Sequence, residues 1–403
     1  MKPAPNLCRI FPVAPFAKPP ELWGFMGDSS QDGIPAWQHS WVEVDAEALR
    51  HNARVARKCV GGRQIMGVVK ANGYGHGLGL VARALSSEVD WFGVANAEEA
   101  LIIRENAGAE KPVFVLGAAL PAERELIVEH GFVPTISSME EGQAYQKLAL
   151  ERQMTLKVHL CVDTGMGRVG FLPRPPALFA KILEGWSNLH FDGLMSHMPS
   201  ADEDEEFTLA QVARFEEMVV GFREAGFYFQ NVHLSNSAGL LKFKNPSSHL
   251  FRAGLMLYGV APLPEWQAEL KSTIVWKTRV TLVRNLPPGS GISYGRTFIT
   301  ERAPFTRVAT IAAGYGDGYH RALSGKGAEV LIHGRRCAIL GRVTMDQMMV
   351  DVSELENEVS PGDEVILLGG EISATELAEK AGTIPWEVLT SISQRVARVL
   401  KDR

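Results

Sequence analysis

Short apolar runs separated by segments of helical periodicity constrain this chain more than any other feature. The runs are Ile65–Val69, Trp91–Val94, Val113–Leu116, Val133–Ile136, Leu156–Val162, Leu189–Leu194, Val232–Leu234 and Leu250–Leu257. Between most of them lie helix-patterned segments: Leu78–Leu85, Ala97–Asn106, Ala122–His130, Met139–Leu150, Pro176–Glu184 and Phe207–Ala225. Strands alternating with helices imply parallel pairing and right-handed crossovers. Eight such strands predict a closed (β/α)8 barrel, with an open doubly wound sheet as the competing arrangement. Upstream, Trp41–Asp45 reads as a short strand, and Asp45 as the cap of a helix carrying Leu49, Ala53, Ala56 and Val60 on one face.

Past residue 270 the rhythm changes. Runs at Ile274–Leu286, Arg307–Ala312, Glu329–Ile332, Cys337–Leu340, Met348–Val352 and Val365–Leu368 follow one another with Gly and Pro turns. That pattern predicts a mainly antiparallel β domain, closed by helices at Ala374–Ala381 and Trp386–Leu400. The expected organisation is a proline-rich extension over residues 1–38, a barrel over 39–271 and a β domain over 272–403.

Composition then removes whole classes of function. Forty-one Lys+Arg against 46 Asp+Glu leaves a net charge of −5, without the dense basic face of a nucleic-acid binder. No stretch approaches the ~20 apolar residues that cross a bilayer, and Pro3, Pro5, Pro12, Pro15, Pro19 and Pro20 interrupt any secretory h-region. Cys8, Cys59, Cys161 and Cys337 are scattered, without a CxxC or a histidine at metal spacing. They read as reduced thiols of a cytoplasmic protein with no metal site.

The sharpest local feature is Ile65-Met66-Gly67-Val68-Val69-Lys70-Ala71-Asn72-Gly73-Tyr74-Gly75-His76-Gly77. An apolar strand ends in a lysine, and a glycine-rich turn follows. Catalytic groups of a barrel sit at the C-terminal ends of its strands. A lysine there, partly desolvated, has a lowered pKa and can form a Schiff base with an aldehyde cofactor. The plain alternative is a lysine snorkelling from a strand end, but three glycines in five residues let backbone amides approach an anion closely. Gly165-Met166-Gly167-Arg168-Val169-Gly170 formally matches the dinucleotide fingerprint. That fingerprint must open a helix, and Pro173, Pro175 and Pro176 prevent one, so a nicotinamide site is not expected.

VVKANGYGHG (Val68–Gly77) resembles the pyridoxal-phosphate signature of alanine racemases. The resemblance runs from about Trp41 to Arg398 through VDTGMGRVG (Val162–Gly170), MSHMPSADE (Met195–Glu203), HLSNSAG (His233–Gly239), FRAGLMLYG (Phe251–Gly259), ISYGRTF (Ile292–Phe298), GYGDG (Gly314–Gly318) and VTMDQMMVDV (Val343–Val352). It implies pyridoxal 5′-phosphate as cofactor, L- and D-alanine as substrates and D-alanine supply to peptidoglycan. Lys70 and Tyr294 are then the two bases, because inverting Cα requires a proton removed from one face and another delivered to the opposite face. The phosphate is expected on Tyr74, Ser237 and the backbone around Asn236, Gly254 and Leu255.

The same resemblance places Arg168 near the phenolic oxygen and the substrate carboxylate, and His197 beside the ring. It sets Arg252 against the pyridine nitrogen, where fold-related decarboxylases carry a carboxylate. An arginine cannot readily give up its proton, so that nitrogen stays unprotonated and side transamination is disfavoured. Tyrosine titrates near ~10, and Arg168, Arg252 and protonated His197 are the expected sources of the field that lowers it for Tyr294. The resemblance further implies a head-to-tail homodimer: Tyr294, Met345 and Asp346 come from the partner, the Met345 amide touches the substrate carboxylate, and Tyr315, Asp317 and Arg321 line the access channel. A tyrosine packed between the sheets is the plain reading of Tyr294, a helix cap that of Ser237 and a surface ion pair that of Arg168. Asp202–Glu206 reads as a solvated first helical turn.

Two positions depart from the family pattern. Cys161 stands where a lysine, often carboxylated, holds the arginine of the DTGMGR motif, so an anion, a water or another polar side chain is expected in that space. Gln394 stands where a tyrosine guards the inner entrance, which predicts a looser gate. The rival functions are a broader-specificity amino-acid racemase, a non-catalytic pyridoxal-phosphate carrier and an amino-acid decarboxylase.

Overall fold

The computed structural model describes residues 34–402 apart from 109, 356 and 357; most of the proline-rich extension, with Cys8, lies outside the described residues. Strand β1 (Ser40–Asp45) leads into a helix over Ala46–Cys59, and Asp45 accepts from the Ala48 amide as its cap. Eight parallel strands follow: β2 (Gln64–Val68), β3 (Trp91–Val94), β4 (Val113–Val115), β5 (Val133–Ile136), β6 (Leu156–Cys161), β7 (Leu189–Met195), β8 (Asn231–His233) and β9 (Leu250–Ala253).

From β2 to β8 each strand pairs with the next, and β9 pairs with β2 through Gln64↔Leu250 to Gly67↔Ala253. The seam between β8 and β9 is bridged by the His249 amide to the Val232 carbonyl (3.0 Å) and the Arg252 amide to the Ser235 carbonyl (3.3 Å). This is the closed barrel, and the doubly wound sheet is set aside. The αβ boundaries fall where the chemistry of capping puts them. Asn96, Ser138, Asp204 and Asn236 each accept from the backbone amide three residues on, so four helices start on a short polar side chain.

Met66, Trp91, Phe114, Val133, Cys161, Met195 and Leu250 fill the barrel axis, as the packed interior of such a barrel requires. The outward faces of the strands meet the helices in one large apolar core.

Most of the remaining strands form a second sheet around β10 (Ile274–Leu286), which pairs antiparallel with Thr306–Ile311 and Glu364–Leu368, while Gly291–Ile292 and Phe298–Ile299 pair apart from it. β1 belongs to this sheet too. It pairs antiparallel with β10 and parallel with a strand over Ala397–Lys401. Trp276, 1% exposed, donates its indole N–H to the Ser40 hydroxyl across that contact, at 2.8 Å. The chain thus enters the β sheet before it builds the barrel.

Two expectations change. The run Leu250–Leu257 stops being a strand at Ala253 and continues as a 3-10 turn over Leu255–Tyr258. The helix read over Trp386–Leu400 ends at Thr390, and Ala397–Lys401 is a strand. Tertiary contacts override the periodicity there: the edge of β1 supplies a ladder, and the half-buried Arg398 guanidinium donates to the carbonyls of Ile392, Ser393, Val396 and Gly75. The last of these ties the C-terminal segment to the turn that follows Lys70.

Candidate active site

A cavity of about 630 Å³ opens at the C-terminal ends of the barrel strands. Its wall gathers Lys70, Tyr74, Arg168, His197, Asn236, Ser237, Arg252, Gly254 and Leu255 from five of the motifs singled out above, with Cys161 beside them. Ile384, Trp386 and Thr390 close one side, and sequence reasoning had no signal for them.

Lys70 follows β2 and is half-buried. Burial lowers its pKa, and Arg168 and then Arg252 push in the same direction. A larger fraction of neutral amine at neutral pH is what a nucleophile or base needs. The next residues run left-handed: Ala71, Asn72, Gly73 and Tyr74 have φ of 55°, 54°, 62° and 50°. Such a turn costs roughly 1–2 kcal/mol for each residue with a Cβ. The surroundings hold it in place: Ala71 N–H donates to Glu99 (2.7 Å), Leu78 N–H to the Asn72 side chain (2.9 Å). Gly75 has no alternative, since a Cβ there would lie 2.0 Å from the Leu389 carbonyl oxygen.

The turn delivers Tyr74 under the cavity, stacked on Tyr258 with centroids 4.4 Å apart. Burial pushes its pKa up to about 12, so the hydroxyl stays a donor. Gly254 N–H donates to the Ser237 hydroxyl at 2.9 Å. A Cβ on Gly254 would lie 2.8 Å from the Tyr74 hydroxyl and 3.8 Å from that of Ser237. Two hydroxyls and a bare backbone thus converge on one small space, a neutral donor set suited to a phosphate. Asn236, not Ser237, caps the helix over Ser237–Lys242, which leaves the Ser237 hydroxyl to the cradle.

Arg252 is 2% exposed. Its guanidinium donates to the Ser196 and Leu234 carbonyls (2.7 Å each) and to Nδ1 of His197 (3.1 Å) and His233 (2.5 Å). Burial brings its pKa down to about 10, which still leaves a cation at neutral pH. His197 is different from expectation. Burial and the Arg252 charge hold its pKa well below the usual value, and its Nδ1 is an acceptor, so it is a neutral ring and adds no positive field.

The DTGMGR loop carries a residue that the motif left without a role. Asp163 accepts from the amides of Gly165, Met166 and Gly167 at 2.8–2.9 Å. Burial opposes its ionisation, yet these donors keep its pKa below the ordinary carboxylate value. This fixes the loop that presents Arg168, and no helix follows it until Pro176, so the dinucleotide reading falls. Cys161 is buried, its thiol pushed up to about 12, and donates to the Val169 carbonyl (3.7 Å). It does not hold Arg168. Asp202 and Glu203 border the same cavity instead of lying in the helix that Asp204 caps, so only part of the acidic run is a solvated first turn.

Tyr294, Met345, Tyr315, Asp317, Arg321 and Gln394 do not line the cavity of their own chain. Tyr294 is 72% exposed, not packed between sheets. It sits in a pinned turn: Ser293 and Gly295 have φ of 62° and 72°, and the Ser293 hydroxyl donates to the Arg342 carbonyl (2.6 Å). Met345 and Tyr315 are also exposed, as are Arg321 and Gln394. Asp317 is buried; it accepts from Gly314 N–H and, with Asp346, from Arg395 (2.8 and 2.9 Å). Through these bonds it clamps the turn.

Fold and site together define a two-domain barrel enzyme with a strand-end lysine beside an anion cradle. The domain model for the alanine racemase N-terminal domain matches residues 44–262, and that for the C-terminal domain matches 273–400. The chain is 41% identical to the alanine racemase of Halothermothrix orenii over 373 residues, covering 90% of this chain and 97% of the relative. Among solved structures, the Clostridium difficile 630 alanine racemase superposes with a TM-score of 0.85 at 32% identity, over 91% and 97% of the two chains. The Bartonella henselae alanine racemase with covalently bound pyridoxal phosphate does so with a TM-score of 0.82 at 27% identity, over 90% and 99%. This chain belongs to the alanine racemase family.

Proposed function

We propose that the protein interconverts L- and D-alanine with pyridoxal 5′-phosphate, using Lys70 and Tyr294 of the partner subunit as the two bases. The observation that carries the reading is the single cavity joining an amine of lowered pKa to the Tyr74–Ser237–Gly254 cradle and to buried Arg252. Tyr74, Ser237 and the amides near Asn236, Gly254 and Leu255 would hold the phosphate, Lys70 the aldehyde carbon and Arg252 the ring nitrogen. When bound, the cofactor supplies an electron sink for the pair left at Cα. Arg252, a cation with donors only, leaves that nitrogen without a proton. Arg168 and the partner subunit's Met345 amide would orient the substrate carboxylate. Lys70 Nζ takes or returns a proton at one face of Cα, and the Tyr294 oxygen does so at the other.

The exposure of Tyr294 and Met345, on turns fixed by their own backbone, supports their use by a second copy across a head-to-tail homodimer. We also read the protein as cytoplasmic and as a source of D-alanine for peptidoglycan. Cys59, Cys161 and Cys337 are free thiols, as a reducing compartment favours. Among the described residues no helix is long and apolar enough to cross a membrane, and no group of metal ligands gathers. The direct test is chiral chromatography after incubation of the holoenzyme with L-alanine. Equal D and L product supports the reading; CO2 release, or no change in a cofactor-loaded dimer, rejects it.

Gly254→Ala tests the cradle. The added methyl meets a Tyr74 ring held by its stack, so the expected cost is roughly 1–3 kcal/mol, or about ten- to hundredfold in cofactor affinity. Equilibrium dialysis against pyridoxal phosphate reads this, and unchanged affinity removes the phosphate from that position. Substrate range is tested at the gate. Gln394 lies exposed in a turn next to the Arg395 clamp and lacks a rigid ring. The chain is expected to racemise serine measurably, and Gln394→Tyr to lower serine turnover more than alanine turnover. Equal rejection of every amino acid but alanine by both forms rejects the looser gate.

A further inference from the structure

Below the cavity floor the barrel axis carries a line of buried rings that the chemistry above does not use. Arg252 meets Nδ1 of His233 at 2.5 Å. A guanidinium has donors only, so His233 accepts there and carries its proton on Nε2. That Nε2 lies 2.9 Å from Nδ1 of His159. His159 therefore accepts at Nδ1 in turn, and its own proton sits on Nε2. This Nε2 points at Oδ2 of Asp192 from 3.7 Å, an electrostatic contact beyond hydrogen-bond length. His159 and His233 are 0% exposed and Asp192 2%. Among the described residues, His159 Nε2 and Asp192 Oδ1 have no hydrogen-bond partner.

The backbone is shaped to make this contact. Between β6 and β7 the register passes from Val158↔Phe191 to His159↔Gly193, so Asp192 is the extra residue of a bulge. Bulges are rare in parallel pairs, and they re-aim side chains. Phe191 packs outward against Trp186 and Phe227, while Asp192 is turned toward His159. Gly193 completes the arrangement, because a Cβ there would lie 2.5 Å from the His159 ring. Alternation from outward Phe191 already turns Asp192 inward; the extra residue lets Gly193 face inward beside it, so that Leu194 and Met195 resume their outward and inward places.

We propose that His159 and Asp192 are positioning residues for Arg252: they hold His233 in the tautomer that accepts from the guanidinium, and so keep Arg252 fixed in place. The functional consequence rests on the cofactor reading above, in which Arg252 faces the ring nitrogen. Asp192 also supplies a buried negative charge at the base of a barrel whose centre holds a buried cation. Burial depresses the pKa of both histidines, in keeping with neutral rings. The other groups facing Asp192 are Asn231 Nδ2, which donates to Oδ2 at 2.6 Å, His190 Nε2 at 3.6 Å and Lys157 Nζ at 4.0 Å. Lys157, Asp192 and Asn231 line a second cleft, of about 460 Å³, at the opposite mouth of the barrel.

Nitrogen-15 NMR of histidine side chains in the cofactor-free full chain reads the tautomers directly. His159 and His233 are expected neutral and Nε2-protonated from about pH 5.5 to 8, across the range in which free histidine titrates. A cationic ring or an Nδ1 proton on either residue overturns the proposal. In the holoenzyme, His159→Phe and Asp192→Asn are expected to move the pH midpoint of the cofactor's visible band by ~0.5 unit or more. His159→Gln, which can accept and donate at the same ends, is expected to restore it. A purely structural role lowers the melting temperature and leaves the midpoint alone, which also overturns the proposal. Should the variants not fold, the NMR result on the unaltered chain decides. A wild-type chain that shows no visible band with pyridoxal phosphate counts against the cofactor reading, not against the tautomers.

Discussion

Lys70→Ala is expected to lower racemisation by roughly 10⁴-fold, about 5.5 kcal/mol in barrier, with both directions affected alike. The residue sits where the left-handed turn, the cavity and an amine of lowered pKa coincide. It is half-buried and outside the apolar core, so the variant should unfold at nearly the wild-type temperature. Chiral product analysis reads the rate. Loss of the visible cofactor band in the same preparation shows that attachment went with it. Racemisation within tenfold of wild type would move the first base to another residue.

The second large effect belongs to Tyr294, and its test is a mixture. Tyr294→Phe alone is expected to cost roughly 10²–10⁴-fold, the usual worth of a positioned acid or base. Combining subunits bearing Lys70→Ala with subunits bearing Tyr294→Phe should recover activity. In a two-fold dimer with shared sites, each mixed dimer has one site with both changes and one with neither. Random assortment makes half the dimers mixed, so about one quarter of wild-type activity returns. A tyrosine acting within its own chain gives no recovery. The exposure of Tyr294 and its absence from its own chain's cavity favour recovery.

Much of the barrel was legible because its strands are apolar runs between capped helices. The eight predicted runs each overlap a barrel strand, and Asp45 caps its helix as read. The glycine-rich turn after Lys70 was legible as a special backbone, though not as left-handed. The C-terminal error is instructive. Trp386, Leu389, Ile392, Val396 and Val399 keep an apolar rhythm that a helix could use. What ends the helix is the distant edge of β1 and the carbonyls gathered by Arg398, neither visible in a local window.

The site divides along the same line. Residue types named the groups with distinctive chemistry: a strand-end lysine, an arginine among apolar neighbours, hydroxyls near glycines. They could not assign a charge state to His197, because its neutrality comes from burial and from an arginine 55 residues away in sequence. They also passed over Asp163, His159, His233 and Asp192, since a polar residue in an apolar run looks like an interruption until its partner is known.

The sequence by itself determined the order of elements, the caps that start the helices and the chemical types available at the strand ends, because these depend on neighbours within a few residues. Only the tertiary structure decided which histidines accept from Arg252, that β1 joins the C-terminal sheet and that a bulge brings Gly193 to the same inward side as Asp192. Those outcomes depend on burial and on hydrogen bonds between residues far apart in the chain, and neither exists until the barrel closes.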